Sequence, residues 1–178
     1  MMRLLPVQDR WKRYPQNVPL RAYGKGARHE FSWYLHGESS VEVNSLDQIV
    51  KWLAACTYTR DSELFLEADY WQHPCVFEAL RQGDCEDFAL WAWRKLARLG
   101  YDAEFVAGYV QHEGAHRGHA WVLIREGDQT YLFDPVLRAE AVMIVPLDEV
   151  AAVYVPEVSI DAELTQYVYG GYLHRRAV

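Results

Sequence analysis

The segment running from Gly83 to Gly100 constrains this chain most, because it carries a start signal, a stop signal and an apolar surface wide enough to need burial on nearly every side. Gly83 breaks the chain, Asp84 is a good N-cap, and Glu86 to Leu99 runs without an interruption until Gly100, a natural helix terminator. Acids stand at the start and Lys95 and Arg98 near the end, as the helix macrodipole favours. Phe88, Ala89, Ala92, Leu96 and Leu99 recur at helical spacing, and Trp91 and Trp93 widen the apolar arc. The spacing predicts one largely buried helix with its N-terminus pinned and Cys85 in its first turn.

A thiol at that position lies among unpaired backbone N–H groups, whose partial positive charge favours the thiolate. Asp84, Glu86 and Asp87 oppose that effect from both sides. The dipole alone is therefore too weak to activate the sulfur, and a nearby imidazolium or a bound cation has to contribute.

The imidazole comes from further along the chain. His119-Ala120-Trp121-Val122-Leu123-Ile124-Arg125 and Thr130-Tyr131-Leu132-Phe133-Asp134 are strand patterns separated by Glu126-Gly127-Asp128-Gln129, a hairpin signature. With Gly127 and Asp128 as the central turn residues, position 121 falls opposite 134, and His119 and Asp134 become diagonal neighbours on one face. Such neighbours sit roughly 7–8 Å apart between backbones, within reach of a long side chain. A loop one residue longer would turn one of them to the other face. Each residue alone has an ordinary structural explanation: a small core cysteine, a satisfied strand histidine, an Asp-Pro turn opener. Their order along the chain, the helix-terminal cysteine and the hairpin register together favour a functional group of three.

These segments also carry a resemblance. Gly83-Asp84-Cys85-Glu86-Asp87-Phe88-Ala89, preceded by Asp69-Tyr70-Trp71-Gln72-His73-Pro74 and followed by His119-Ala120-Trp121 and Leu132-Phe133-Asp134, resembles the bacterial transglutaminase-like cysteine peptidases. They belong to the transglutaminase-like superfamily, whose core is similar to that of papain. The resemblance covers residues 69–136 and implies an α+β domain with the nucleophile helix packed on an antiparallel β-sheet. It implies Cys85 as nucleophile, His119 as general base and acid, and Asp134 as the residue that orients the ring. The chemistry implied is acyl transfer at amide bonds of proteins or peptides: a thioester forms, and water or a second amine resolves it. The Cys85 N–H is the default first oxyanion donor, and Trp71 or Gln72 is the expected source of the second. No cofactor is required by this reading. Some members hold calcium close to the nucleophile, and Asp84 and Glu86 match the flanking acids, yet two carboxylates fall short of the six to eight oxygens the ion takes. The same acids also serve simply to stabilise a helix start, and that is the favoured reading of them.

A competing motif is His112-Glu113-Gly114-Ala115-His116, which satisfies the H-E-x-x-H zinc pattern. That pattern works only on a helix, where histidines four apart share a face. Gly114 and Gly118 weaken any helix here, and the segment lies between two strand patterns, Ala103 to Val110 and the one opening at His119. A polar loop above the active site is expected instead, and a zinc protease ranks below both the cysteine enzyme and a binding or assembly module that keeps the fold without turnover.

Composition bounds the rest. With 178 residues, half of them apolar or aromatic, the chain suits a single domain over 1–178, with a core at about 45–158 and a basic extension over 1–44. Residues 1–30 carry seven Lys or Arg against two acids, whereas the whole chain has net charge −7. Lacking any nucleic-acid motif, that basic stretch is expected to pair with the acidic body or to remain solvated. Three cysteines, one assigned to chemistry, make a disulfide framework improbable, and Cys56 and Cys75 fall in apolar helical patterns. With neither a signal-peptide core nor a membrane-length apolar run, the chain is expected to be cytoplasmic, acting on a protein or peptide, with no nucleic-acid or membrane partner and its oligomeric state open. Elsewhere the sequence predicts strands at Phe31–His36, Ser40–Val43, Ala141–Val145 and Ala151–Val155. It predicts helices from a Ser45/Gln48 capping box through Cys56 and over Cys75–Gln82, and it leaves Asp61–Trp71 helical or irregular.

Overall fold

The structure, a computed structural model, describes residues 5–112 and 115–177, with the side chain of His112 outside that description. Two-residue periodicity in the second half of the chain builds a seven-stranded antiparallel sheet in the order β1-β9-β8-β4-β5-β6-β7. Its strands are β1 (Arg13–Pro15), β4 (Asp102–His112), β5 (Ala115–Glu126), β6 (Gln129–Phe133), β7 (Ile144–Pro146), β8 (Tyr154–Asp161) and β9 (Gln166–Tyr169). A small parallel pair, β2 (Thr57–Tyr58) and β3 (Gln82–Gly83), lies apart from it.

The predicted helix forms over Cys85–Arg98 and is the most enclosed element: Leu90, Trp91, Ala92, Trp93 and Leu96 are all fully buried. It stops where the sequence said it should. Gly100 takes a left-handed φ of +83°, its N–H donates to the Ala97 carbonyl and the Tyr101 N–H donates to that of Leu96, a Schellman closure. The helix lies on the face of β4 and β5 that presents Ala103, Phe105, Ala107, Ala120, Val122 and Ile124. Alternation sends Val106, Trp121, Leu123 and Leu132 to the opposite face, where Trp11, Leu147, Val150 and Tyr154 cover them. This is an α+β fold with the Cys85 helix packed on an antiparallel sheet, as expected.

Several local expectations fail, each for a tertiary reason. Phe31–Leu35 is a helix, because only that turn puts both Phe31 and Tyr34 into the core against Trp71, and the 40–43 segment is not a strand. Glu140–Met143 is one helical turn leading into β7, and residues 151–153 form a turn, so β8 starts only at Tyr154. The helix opened by Ser45, whose side chain accepts from the Gln48 N–H, ends at Ala54, and Pro74 begins a helix that closes at Leu80. Residues outside 45–158 share the core: Tyr23, Phe31 and Tyr34 before it, Ile160 and Val168 after it. The basic N-terminal stretch pairs within the chain, Arg13 with buried Glu104 and Arg28 with Glu67. No helix among the described residues is long and apolar enough to cross a membrane.

Candidate active site

The helix start is fixed by Asp87. Its carboxylate accepts from the Gln72 N–H at 2.8 Å, the Gln72 side-chain amide at 2.7 Å and the Asp84 N–H at 3.2 Å. Gly83 has to be glycine for this to fit, since a Cβ there would lie 2.4 Å from Asp87 Oδ2 and 2.8 Å from Gln72 Nε2. The β2–β3 pair, extended by the Thr59 N–H donating to the Gly83 carbonyl at 2.8 Å, draws Tyr58, Arg60 and Asp61 up beside Cys85.

Cys85 is the first residue of the helix and half-buried. Its thiol donates to Glu86 Oε2 at 3.2 Å. Burial pushes the thiol well above its ordinary value, and the charges of Glu86 and Asp84 push it further. The first-turn dipole does not overcome them, in line with the opposition read from the sequence.

On the other side of the cleft the hairpin takes the required register: Glu126 pairs with Gln129 and Val122 with Phe133 across a two-residue turn whose Gly127 has φ +57°. His119 and Asp134 are thereby diagonal, and His119 Nε2 donates to Asp134 Oδ2 at 2.8 Å. A carboxylate only accepts, so this bond fixes the proton on Nε2 and leaves Nδ1 for the cleft. Asp134 is 2 % exposed, and two further donors reach it: the Val136 N–H to Oδ1 at 3.3 Å and the Tyr154 hydroxyl to Oδ2 at 2.7 Å.

Cys85 and His119 line one cleft of about 440 Å³, together with Tyr58, Trp71, Gly108 and Ala120. No hydrogen bond joins Cys85 to His119 among the described residues. The fold thus brings Cys85 and His119 to one cleft, with Asp134 buried behind the ring it holds and the thiol bonded elsewhere.

The expected oxyanion donors need correction. The Gln72 side chain is buried, with its amide donating to Asp87 and to the Gln82 carbonyl, so it holds the helix start and does not face the cleft. Trp71 does line the cleft, but its indole N–H donates to Asp69 Oδ1 at 3.0 Å. The zinc motif is corrected as well: His112 ends β4, Ala115 opens β5 opposite it, and His116 pairs with Gln111, so the histidines lie on a hairpin. The expected loop is largely strand, with Glu113 and Gly114 outside the described residues.

Asp84 and Glu86 lie within 4.8 Å of each other and of the Cys85 sulfur, and they belong to a larger cluster in which oxygens of Asp61, Asp69 and Glu86, and of Asp61, Asp84 and Asp87, come within the same distance. Burial pushes Asp61 up to about 6, aided by the charges of Asp84 and Asp69; burial likewise raises Asp84, raises Glu86 well above the usual range, and lifts Asp87 to about 8. Asp61 Oδ1 and Asp84 Oδ1 are buried with no hydrogen-bond partner among the described residues. Oxygen donors in excess, short of positive charge and of protons to accept, suit a hard cation such as calcium. Asp61 and Tyr154 carried no local sequence signal; each reaches the site through tertiary contacts.

A family model described as bacterial transglutaminase-like cysteine proteinase matches residues 26–147. Among solved structures, Legionella pneumophila LapG in its calcium-bound form superposes with a TM-score of 0.55 at 19% identity, over 69% of this chain and 66% of the other. LapG treated with EGTA gives 0.51 at 20% identity, over 66% and 62%. The chain thus spans just under two thirds of the length of these relatives. No curated protein matches it in sequence.

Proposed function

Because the chain belongs to the bacterial transglutaminase-like cysteine proteinases, we propose that it cleaves amide bonds of a protein or peptide substrate through a thioester on Cys85. The observation that carries this reading is the His119 Nε2 to Asp134 bond of 2.8 Å, which leaves Nδ1 as the ring's second nitrogen while His119 and Cys85 line one cleft. In the proposed cycle Nδ1 takes the thiol proton, and the sulfur attacks the carbonyl carbon. His119 then returns the proton to the leaving amine. Water, deprotonated by the same nitrogen, hydrolyses the thioester; an amine reaching it first would give transamidation. The Cys85 backbone N–H, at a helix N-terminus that borders the cleft, is the first oxyanion donor.

The acid cluster fits a calcium ion held by Asp84 and Glu86 with Asp61 and Asp69, a reading supported by the two orphaned oxygens and by the calcium-bound relative. Bound there, the ion would supply the positive charge that lets these carboxylates ionise side by side. Without it, burial holds the carboxyls of Asp61, Asp84 and Glu86 above their usual range, and the charges of Glu86 and Asp84, where present, oppose a thiolate on Cys85.

A second reading, a binding module without turnover, is favoured by the thiol's bond to Glu86 and its raised pKa. One experiment separates the two. Wild type and Cys85→Ala are incubated with bacterial lysate in calcium, and new peptide N-termini are identified by mass spectrometry, alongside iodoacetamide labelling of the three cysteines. The enzyme reading expects new termini with wild type alone and Cys85 labelled ahead of Cys56 and Cys75. Identical termini with equal, slow labelling would establish the module.

A further inference from the structure

The Asp134 carboxylate has two donors on one oxygen, and only one of them comes from the hairpin that sets the His–Asp register. The other, Tyr154, is the first residue of β8, two strands away from β5 across β4. We propose that Tyr154 is a positioning residue for His119: it fixes Asp134 Oδ2 in the direction of the ring and takes up part of its accepting capacity, so that the carboxylate steers the imidazole without binding it too tightly. The inference rests on the reading of His119 and Asp134 as the working pair.

The supporting geometry is specific. Tyr154 OH and His119 Nε2 approach Asp134 Oδ2 at 2.7 and 2.8 Å, whereas Oδ1 receives only a long 3.3 Å bond from the Val136 N–H. Without the hydroxyl, Oδ2 would have the imidazole as its single partner. The tyrosine is itself held in place: its ring meets Trp121 edge-on at 5.3 Å and 74°, and the Trp11 indole donates to the Ala151 carbonyl at 2.9 Å in the turn just before it. Trp121 can lie there because Gly108, at the register shift between β4 and β8, has no side chain; a Cβ would stand 2.8 Å from Trp121 Cη2 and 2.2 Å from the Val155 carbonyl oxygen. The rings of Trp121 and Tyr154 lie against the His119 ring, at 6.0 and 6.2 Å between centroids, beside a carboxylate that is 2 % exposed. Burial and the Asp134 charge both raise the Tyr154 phenol, so it stays a donor wherever the protein is folded.

The test is Tyr154→Phe, which keeps the ring and removes the one hydroxyl, read by proton and nitrogen NMR of the histidine side chains in the intact chain. Competition between two donors for Oδ2 predicts that the His119 Nε2–H resonance moves downfield in the variant, because the remaining bond shortens, while the backbone spectrum stays that of a folded protein. Loss of packing alone would lower the melting temperature and leave that resonance in place, and an unmoved or upfield-shifted signal overturns the proposal. Wild type supplies an independent reading: a slowly exchanging Tyr154 hydroxyl proton with a cross-peak to His119 Nε2–H is expected, and its absence overturns the proposal even where the variant fails to fold. Neither measurement uses turnover, so a chain without proteolytic activity can still pass or fail both.

Discussion

Replacing Asp61 with Asn isolates the electrostatic strain in the acid cluster with the least disturbance to shape. Asp61 opens the short helix Asp61–Leu64, is 2 % exposed, and accepts from the Tyr70 N–H through Oδ2 while Oδ1 has no partner among the described residues. Burial, followed by the charges of Asp84 and Asp69, lifts its carboxyl from 3.8 to about 6. A folded-state pKa above the unfolded one means that folding takes up a proton. The stabilisation this provides is complete below the unfolded value and is lost as pH rises through the folded one. Near neutral pH the folded chain must therefore ionise this group at a penalty of about 3 kcal/mol, two units at 1.36 kcal/mol each. Asparagine keeps a carbonyl oxygen for the Tyr70 N–H and has nothing to ionise. In EGTA near neutral pH the variant should gain up to about 3 kcal/mol, or roughly 6–12 °C in melting temperature for a domain of this size. Below pH ~4 the gain should vanish, because wild type is then protonated in both states. Added calcium should stabilise wild type more than the variant, since one ligand has been lost. Calorimetric melts across this pH range, with and without the ion, read all three effects. A variant less stable than wild type in EGTA, or one with the same gain at both ends of the range, would refute the reasoning.

Two further substitutions test the walls of the site. Gly108→Ala must displace the Val155 carbonyl or the Trp121 ring, so it should lose about 1–3 kcal/mol of stability in a urea titration, as overpacking does, and lose Cys85-dependent cleavage with it. His116→Ala removes a histidine exposed on β5 and should leave cleavage within about twofold of wild type, as surface changes away from a site do; a collapse in rate matched by zinc rescue would revive the metalloprotease alternative.

What the sequence disclosed was local. Asp84, the run to Leu99 and Gly100 specify the nucleophile helix from within eighteen residues, and a two-residue turn at Gly127-Asp128 sets the His119–Asp134 diagonal from within sixteen. What it concealed depends on partners far along the chain. Phe31 to Leu35 has the aromatic content of a strand, but Phe31 packs on Trp93 at 6.1 Å and on Phe105 at 5.7 Å, and that contact with the helix and with β4 decides its conformation. Gln72 read as an oxyanion donor because the resemblance places such a donor in the segment just upstream of Cys85. Its amide is instead engaged by Asp87, through a gap that exists only because Gly83 lacks a side chain. Tyr154 stands 20 residues beyond Asp134 and meets it only because the sheet order inserts β4 between β8 and β5.

The acids around Cys85 had two readings, helix-start stabilisers or ligands, and the bonds they make differ from residue to residue. Asp87 performs the first: three N–H donors converge on it, one of them from Asp84 itself, and no cation is needed to account for its burial. Asp61 and Asp84 each keep a buried oxygen with no donor among the described residues, and Glu86 satisfies itself at the expense of the sulfur by accepting the Cys85 S–H. Helix capping engages the Asp84 side chain but accounts for neither unpaired oxygen nor the bond from Cys85 to Glu86. A fold selected for stability alone would have no reason to hold unpaired carboxylates against a thiol, because an unmet buried acceptor costs about 1–3 kcal/mol and more when charged. The arrangement becomes intelligible if a cation completes it, since the charge that satisfies Asp61, Asp84 and Glu86 also removes the repulsion that keeps Cys85 protonated. By that argument a cation bound at this cluster should raise the reactivity of Cys85, and its removal by chelator should lower it.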